Sequence, residues 1–168
     1  MSREYTISAG GITVLGATTL ILLRPGAVYP ATVSLEIIRM WIGESSVAVS
    51  QQQRVEWGLV TATFPTPFPT VTGDTPRLLK ETDPVSKIVS GTAGAAGTCG
   101  VNASVESGSL TQIGADAFNN VGGWNWIATP DETIVLAAAS PSAFYLRFPV
   151  APLTLTDWAF GLTFREIG

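Results

Sequence analysis

Asp131 and Glu132 stand side by side after Thr129-Pro130. Paired carboxylates are the residues of glycoside hydrolysis, where two carboxyl groups flank one bond about 5 to 10 Å apart. Neighbours on a strand point to opposite faces, so this pair cannot flank one bond. A solvated turn that opens a strand is the expected reading. Glu36 and Glu56 are a distant pair that strand pairing could bring together. Asp116-Ala117-Phe118-Asn119-Asn120 has one carboxylate and no calcium-loop spacing, and it reads as a polar turn. No glycine-rich loop is followed by Lys and then Ser or Thr, so no phosphate cradle is present. The chain has no histidine and one cysteine, Cys99. That removes Ser-His-Asp and Cys-His catalysis, His-ligated metals and an intrachain disulfide. Cys99 sits among Gly, Thr and Ala, with no neighbouring charge to activate its thiol. No catalytic residue, metal ligand or cofactor is assigned, and no enzymatic activity is expected.

The aromatic residues are the remaining candidates. Trp124 and Trp126 flank Asn125, so both rings emerge on one face of a strand. Such a face stacks on sugar rings, anchors an interface, or is simply core. Phe64-Pro65-Thr66-Pro67-Phe68-Pro69 has prolines at alternate positions, which favour an extended, polyproline-like path. Exposed apolar side chains on an extended segment want a surface to cover. Phe64, Pro65 and Phe68 are therefore candidate interface residues together with Trp124 and Trp126.

Strands must position these residues, because alternation dominates the chain. From Ala31 to Ile42 one face carries Val33, Leu35, Ile37 and Trp41. Val55, Trp57 and Leu59 alternate with Arg54, Glu56 and Gly58. Phe144, Leu146 and Phe148 follow the same rule, as do Trp158, Phe160, Leu162 and Phe164. Weaker strand signals cover 4–8, 12–15, 18–23, 98–106, 124–128 and 132–138. Gly10-Gly11, Arg24-Pro25-Gly26, Gly122-Gly123 and Ser140-Pro141-Ser142 punctuate them. About ten short strands with frequent turns predict an all-β protein, an antiparallel β-sandwich or jelly roll. At most one short helix is expected, with Thr75 as N-cap, Pro76 at the first helical position and Pro84 as the stop. A helical turn over 44–52 competes with strand or loop, since Val47 and Val49 suit either. Residues 61–100 break the rhythm and read as an extended arm or loop within a single domain spanning 1–168. Gly91, Gly94, Gly97 and Gly100 fall at every third position, too few for a triple helix.

Only 13% of the 168 residues are charged and 46% are hydrophobic, which excludes a disordered chain. With net charge −4, a nucleic-acid footprint is not expected. Thr19-Leu20-Ile21-Leu22-Leu23 is far short of the roughly 20 residues a membrane helix needs. The N-terminal residues lack a basic patch followed by an apolar run, so synthesis in a cytoplasm is expected. Between Ile88 and Pro130 the only charges are Glu106 and Asp116. So long a neutral stretch suits burial in an oligomer or larger assembly, or else a neutral Gly/Ser/Thr/Asn surface.

The chain resembles the structural proteins that decorate or cement the capsids of tailed bacteriophages. The likeness runs from Thr19-Leu20-Ile21-Leu22 through Arg39-Met40-Trp41-Ile42-Gly43 and Gln51-Gln52-Gln53-Arg54-Val55-Glu56. It continues in Gly123-Trp124-Asn125-Trp126-Ile127-Ala128-Thr129-Pro130-Asp131-Glu132 and ends in Gly161-Leu162-Thr163-Phe164-Arg165-Glu166-Ile167. These are strand and turn patterns and contain no catalytic signature. The resemblance implies a β-sandwich or jelly-roll body, a homotrimer, and the major capsid protein as partner. It places the protein on the virion surface after synthesis in the host cytoplasm, with no nucleic acid, membrane or small-molecule substrate. The alternative is a carbohydrate- or receptor-binding β-sandwich of a phage tail or fibre, stacking sugar on Trp124 and Trp126.

Overall fold

The computed structural model describes residues 3–26, 33–46, 49–69 and 73–168. Twelve strands make up its regular structure. In chain order they are β1 (Arg3–Ile12), β2 (Thr19–Leu23), β3 (Ser34–Glu44), β4 (Gln52–Thr61), β5 (Arg77–Leu78) and β6 (Val89–Ser90). They continue as β7 (Thr98–Val101), β8 (Ser109–Asn119), β9 (Trp124–Ile127), β10 (Ile134–Leu136), β11 (Ala143–Arg147) and β12 (Trp158–Ile167). Two six-stranded sheets result, and they pack as a β-sandwich. The first sheet runs β10-β3-β12-β1-β5, with β9 beside β10 on the same edge of β3; the second runs β6-β7-β2-β11-β4-β8. All pairings are antiparallel except β6 with β7. No helix of the described residues is long and apolar enough to cross a membrane.

Alternation accounts for the core. Trp158, Phe160, Leu162 and Phe164 on β12 are all fully buried between the sheets. Phe144, Leu146 and Phe148 meet them from the second sheet, with the Phe148 ring edge-on to Trp158 at 4.8 Å. Each such side chain contributes about 1.5–3 kcal/mol on burial.

One expected face is corrected in β3. Leu35 and Ile37 point inward as expected, but so do Met40 and Ile42, while Trp41 is only half-buried. Thr163 pairs with Arg39 and Phe164 with Ile37, so Ile38 has no partner across the ladder. That β-bulge shifts the side-chain phase by one residue and turns Trp41 outward.

The central strands of the second sheet are buried on both faces. Leu22, Val60, Ala143 and Tyr145 form a second apolar cluster on its outer side. Residues 64–68 cover it. Phe68 is 2% exposed and Pro65 is buried, with Phe64 packed beside them. The Phe68 ring rests on Gly100, where a Cβ would come within 2.4 Å. The cover is fastened by Phe68 N–H to Thr92 O at 2.8 Å, Thr66 N–H to Val105 O at 3.0 Å and Ser104 N–H to Pro67 O at 2.9 Å. Arg24 lies over the Phe64 ring, 4.1 Å from its centroid. The segment expected to reach a neighbouring subunit thus folds onto its own sheet. Its apolar target is in the same chain, at a high effective concentration that a separate subunit has to match.

The helix expected at Thr75 does not form. Arg77–Leu78 instead pairs with Thr6 and Tyr5 as a short edge strand. Glu44 ends β3 and Gln52 opens β4, with no helical turn among the described residues between them; Val47 lies outside those residues. Residues 31 and 32 of the strand expected from Ala31, and residues 70–72 of the expected arm, also lie outside them.

Candidate assembly surface

β8 is the longest feature the alternation did not reveal. It is 11 residues long and exposed along most of its length. It pairs with β4 through ten registered residues and closes the second sheet on that side. No strand among the described residues pairs with its other edge, which leaves N–H and C=O groups there, the usual template for adding a strand. Apart from one bulge at Ile113, it has few of the usual protections. Ser109–Asn119 contains no Lys, Arg or Pro, and Asp116 is its only charge. Leu110 and Ile113 are 36% and 50% exposed.

The inner side of β8 is fixed by aromatic residues. Trp57 of β4 lies against Gly114, where a Cβ would come within 2.3 Å of the ring. Phe118 packs edge-on to Trp158, with centroids 6.4 Å apart. The indole N–H of Trp124, on the opposite sheet, donates to Asp116 Oδ2 at 3.0 Å. Trp57 also sits 5.3 Å from Trp124 and 6.2 Å from Trp126 between ring centroids. This cluster joins the two sheets at one end of the β8 side. The expected polar turn at 116–120 is accordingly the end of a strand. Its Asn120 is buried and donates Nδ2–H to Glu44 Oε2 at 2.6 Å and to Val49 O at 3.2 Å.

Next to the tryptophans the sandwich stays open. A cleft of about 500 Å³ lies between β8 and β4 on one sheet and β9 and β10 on the other. Trp57, Leu59, Ile113, Trp126, Ile134 and Val135 give it apolar walls, and Glu132 with Thr133 stands at its polar part. Ile113 is the extra residue of a bulge, since Trp57 pairs with Gly114 and Gly58 with Gln112.

The expected site residues thus separate into two groups. Trp124 and Trp126 do share one face, but Trp124 is 9% exposed and tied to Asp116, so only Trp126 opens into the cleft. Phe64, Pro65 and Phe68 lie in the cover over the second sheet. Sequence reasoning missed Ile113, Leu110 and Trp57 as surface or cleft residues. The scarcity of charge between Ile88 and Pro130 was the one signal that reached β8.

The titratable groups build structure. Glu36 and Glu56 do not meet. Glu36 accepts Arg165 Nη1–H at 2.8 Å on the outside of the first sheet, while Glu56 pairs with Arg147 at 3.5 Å on the outside of the second. Glu132 belongs to a turn, accepting Thr129 Oγ1–H at 3.0 Å, as expected. Burial pushes the Cys99 thiol up to about 12, away from reactive thiolate. Among the described residues, no three Cys, Asp or Glu side chains come together as a metal-ligand set.

No protein-family model matches the sequence, and comparison with curated proteins and with solved structures finds no match to either.

Proposed function

We propose that the protein is a non-enzymatic structural subunit of a tailed-bacteriophage virion, which decorates or cements the capsid shell. It works as a homotrimer against the major capsid protein, bridging neighbouring capsomers. The observation that carries this reading is β8, a long, nearly uncharged edge strand, interrupted only by the bulge at Ile113, beside an apolar cleft. A free monomer with such an edge risks uncontrolled pairing, whereas a permanent assembly covers it. The low charge of the chain and its resemblance to capsid decoration proteins support the same reading. A contact of standard size buries about 1,600 Å² in total. Repeated over a shell, such contacts act together against internal pressure.

The first test is the molar mass of the purified chain by light scattering. We expect three times the 17.6 kDa subunit, unchanged on dilution. Leu110→Lys combined with Ile113→Lys places charge on the exposed edge and should lower the mass to that of one subunit, with an unaltered circular dichroism spectrum. It should also abolish co-sedimentation with expanded capsid shells. A wild-type chain that stays monomeric and does not co-sediment overturns the reading.

A further inference from the structure

The outside of the first sheet carries an aromatic platform that edge assembly does not use. The bulge at Ile38 turns Trp41 outward. Its indole lies over Gly161 on β12, where a Cβ would come within 2.5 Å of the ring. Glycine there lets the indole come down onto the β12 backbone. Asn125 is the cross-strand partner of Trp41 in β9. Arg39, also exposed on this face, donates Nε–H to Asn125 Oδ1 at 2.9 Å. That bond orients the guanidinium. Its two terminal nitrogens and Asn125 Nδ2 have no partner among the described residues. Arg39, Trp41 and Asn125, with Gly122 and Gly123, line a hollow of about 330 Å³.

These groups narrow the ligand. A purely apolar molecule would bury the Arg39 and Asn125 donors without partners, at about 1–3 kcal/mol for each. An added strand cannot reach the Trp41 ring by pairing with β3, which is paired with β12 on one side and with β9 and β10 on the other, and the outer edge of β9 offers only four residues. A pyranose ring fits the chemistry. It has an apolar C–H face to lie on an indole and a rim of hydroxyl oxygens to accept from planar, forked donors. We propose that this hollow binds a pyranose unit of a neutral oligosaccharide, stacked on Trp41 and hydrogen-bonded by Arg39 and Asn125. This goes beyond the assembly reading and does not rest on it. One indole and one forked donor on an open face give affinity in the millimolar range.

The test is titration of the ¹⁵N-labelled full chain with maltohexaose, cellohexaose and chitohexaose, followed by NMR. At least one of them should shift the Trp41 indole N–H and the amides of Gly122, Gly123 and Asn125. Trp41→Ala should weaken binding about tenfold or more, a loss of stacking of about 1.4 kcal/mol or more. Arg39→Met keeps the side chain's length and should weaken it about threefold to tenfold, with the spectrum otherwise unchanged. The proposal is overturned if none of the three sugars shifts these signals, if binding survives both substitutions, or if the shifts map to Trp57 and Trp126 instead. The molar-mass measurement is a separate readout, so failure of either idea leaves the other standing.

Discussion

The two outer faces of the sandwich solve the same problem in opposite ways. Each has an arginine held between two glutamates. On the first sheet Arg165 donates to Glu4 and Glu36, both at 2.8 Å, across three adjacent strands. All three side chains stay in contact with water, and the bonds to Glu4 and Glu36 push the guanidinium pKa further up. On the second sheet Arg147 lies 3.5 Å from Glu56 and 3.8 Å from Glu106, with its side chain 14% exposed. Glu106 comes from the covering loops and also takes the backbone N–H and the hydroxyl of Thr19. The first face is a polar surface left open. The second is an apolar face whose charged margin helps hold its cover. An ion pair of the same composition is thus decoration in one place and a fastening in the other.

Substitutions can break this contrast. Phe68→Ala should have the largest effect. It empties the space over Gly100 and uncovers Tyr145 and Val60, costing about 3–4 kcal/mol. Chemical denaturation measures it, and a loss below about 1 kcal/mol would show that the cover is not integral. Arg147→Met comes next. It leaves Glu56 and Glu106 facing one another with little water, and we expect a loss of about 2–3 kcal/mol by the same measurement.

Tyr145 sharpens the comparison through pH. Burial, reinforced by Glu56, pushes its hydroxyl from the ordinary 10.0 up to about 12. The folded state therefore holds this proton more tightly than the unfolded state does. Its contribution is complete below pH 10 and is lost as pH rises towards 12. The hydroxyl has no hydrogen-bond partner among the described residues. Tyr145→Phe should accordingly change stability at neutral pH by about 1 kcal/mol or less and move alkaline unfolding to higher pH. Thermal melts between neutrality and strong alkali would show it, and an unmoved alkaline limit counts against the assignment. Arg165→Met, on the open face, should cost only about 0.5–1 kcal/mol, and this should shrink further in high salt. If Arg165 and Arg147 prove equal, the contrast between the faces is wrong.

The fold was legible where one side of a strand meets the core and the other meets water. β12 is the clearest case, since Trp158, Phe160, Leu162 and Phe164 alternate without interruption. Alternation faded wherever that condition failed. β8 is exposed on both faces for most of its length, so no alternation marks it. β2 is buried on both faces and does not alternate, but its unbroken apolar run still marked it as the strand signal at 18–23. The outward turn of Trp41 depends on one unpaired residue, Ile38, and a bulge of this kind leaves no composition signal. The prolines of 64–69 announced an extended path, but not which surface it would lie on. Of the candidate site, the Trp126 wall was visible in the sequence. The Trp57 and Ile113 walls depend on strand pairing over long separations, which local pattern does not encode.

The central position of β12 has a kinetic consequence. It pairs with β1 on one side and β3 on the other, and the Glu4–Arg165 contact spans 161 residues. Until β12 leaves the ribosome, β1 and β3 have no partner between them and the first sheet cannot close. The first sheet therefore cannot mature strand by strand during synthesis. The closing step brings distant segments together at once, and chains dominated by such contacts fold on the millisecond to second scale. During that interval β1 and β3 are themselves open edges, so a growing or newly finished chain exposes more pairing surface than the mature subunit does.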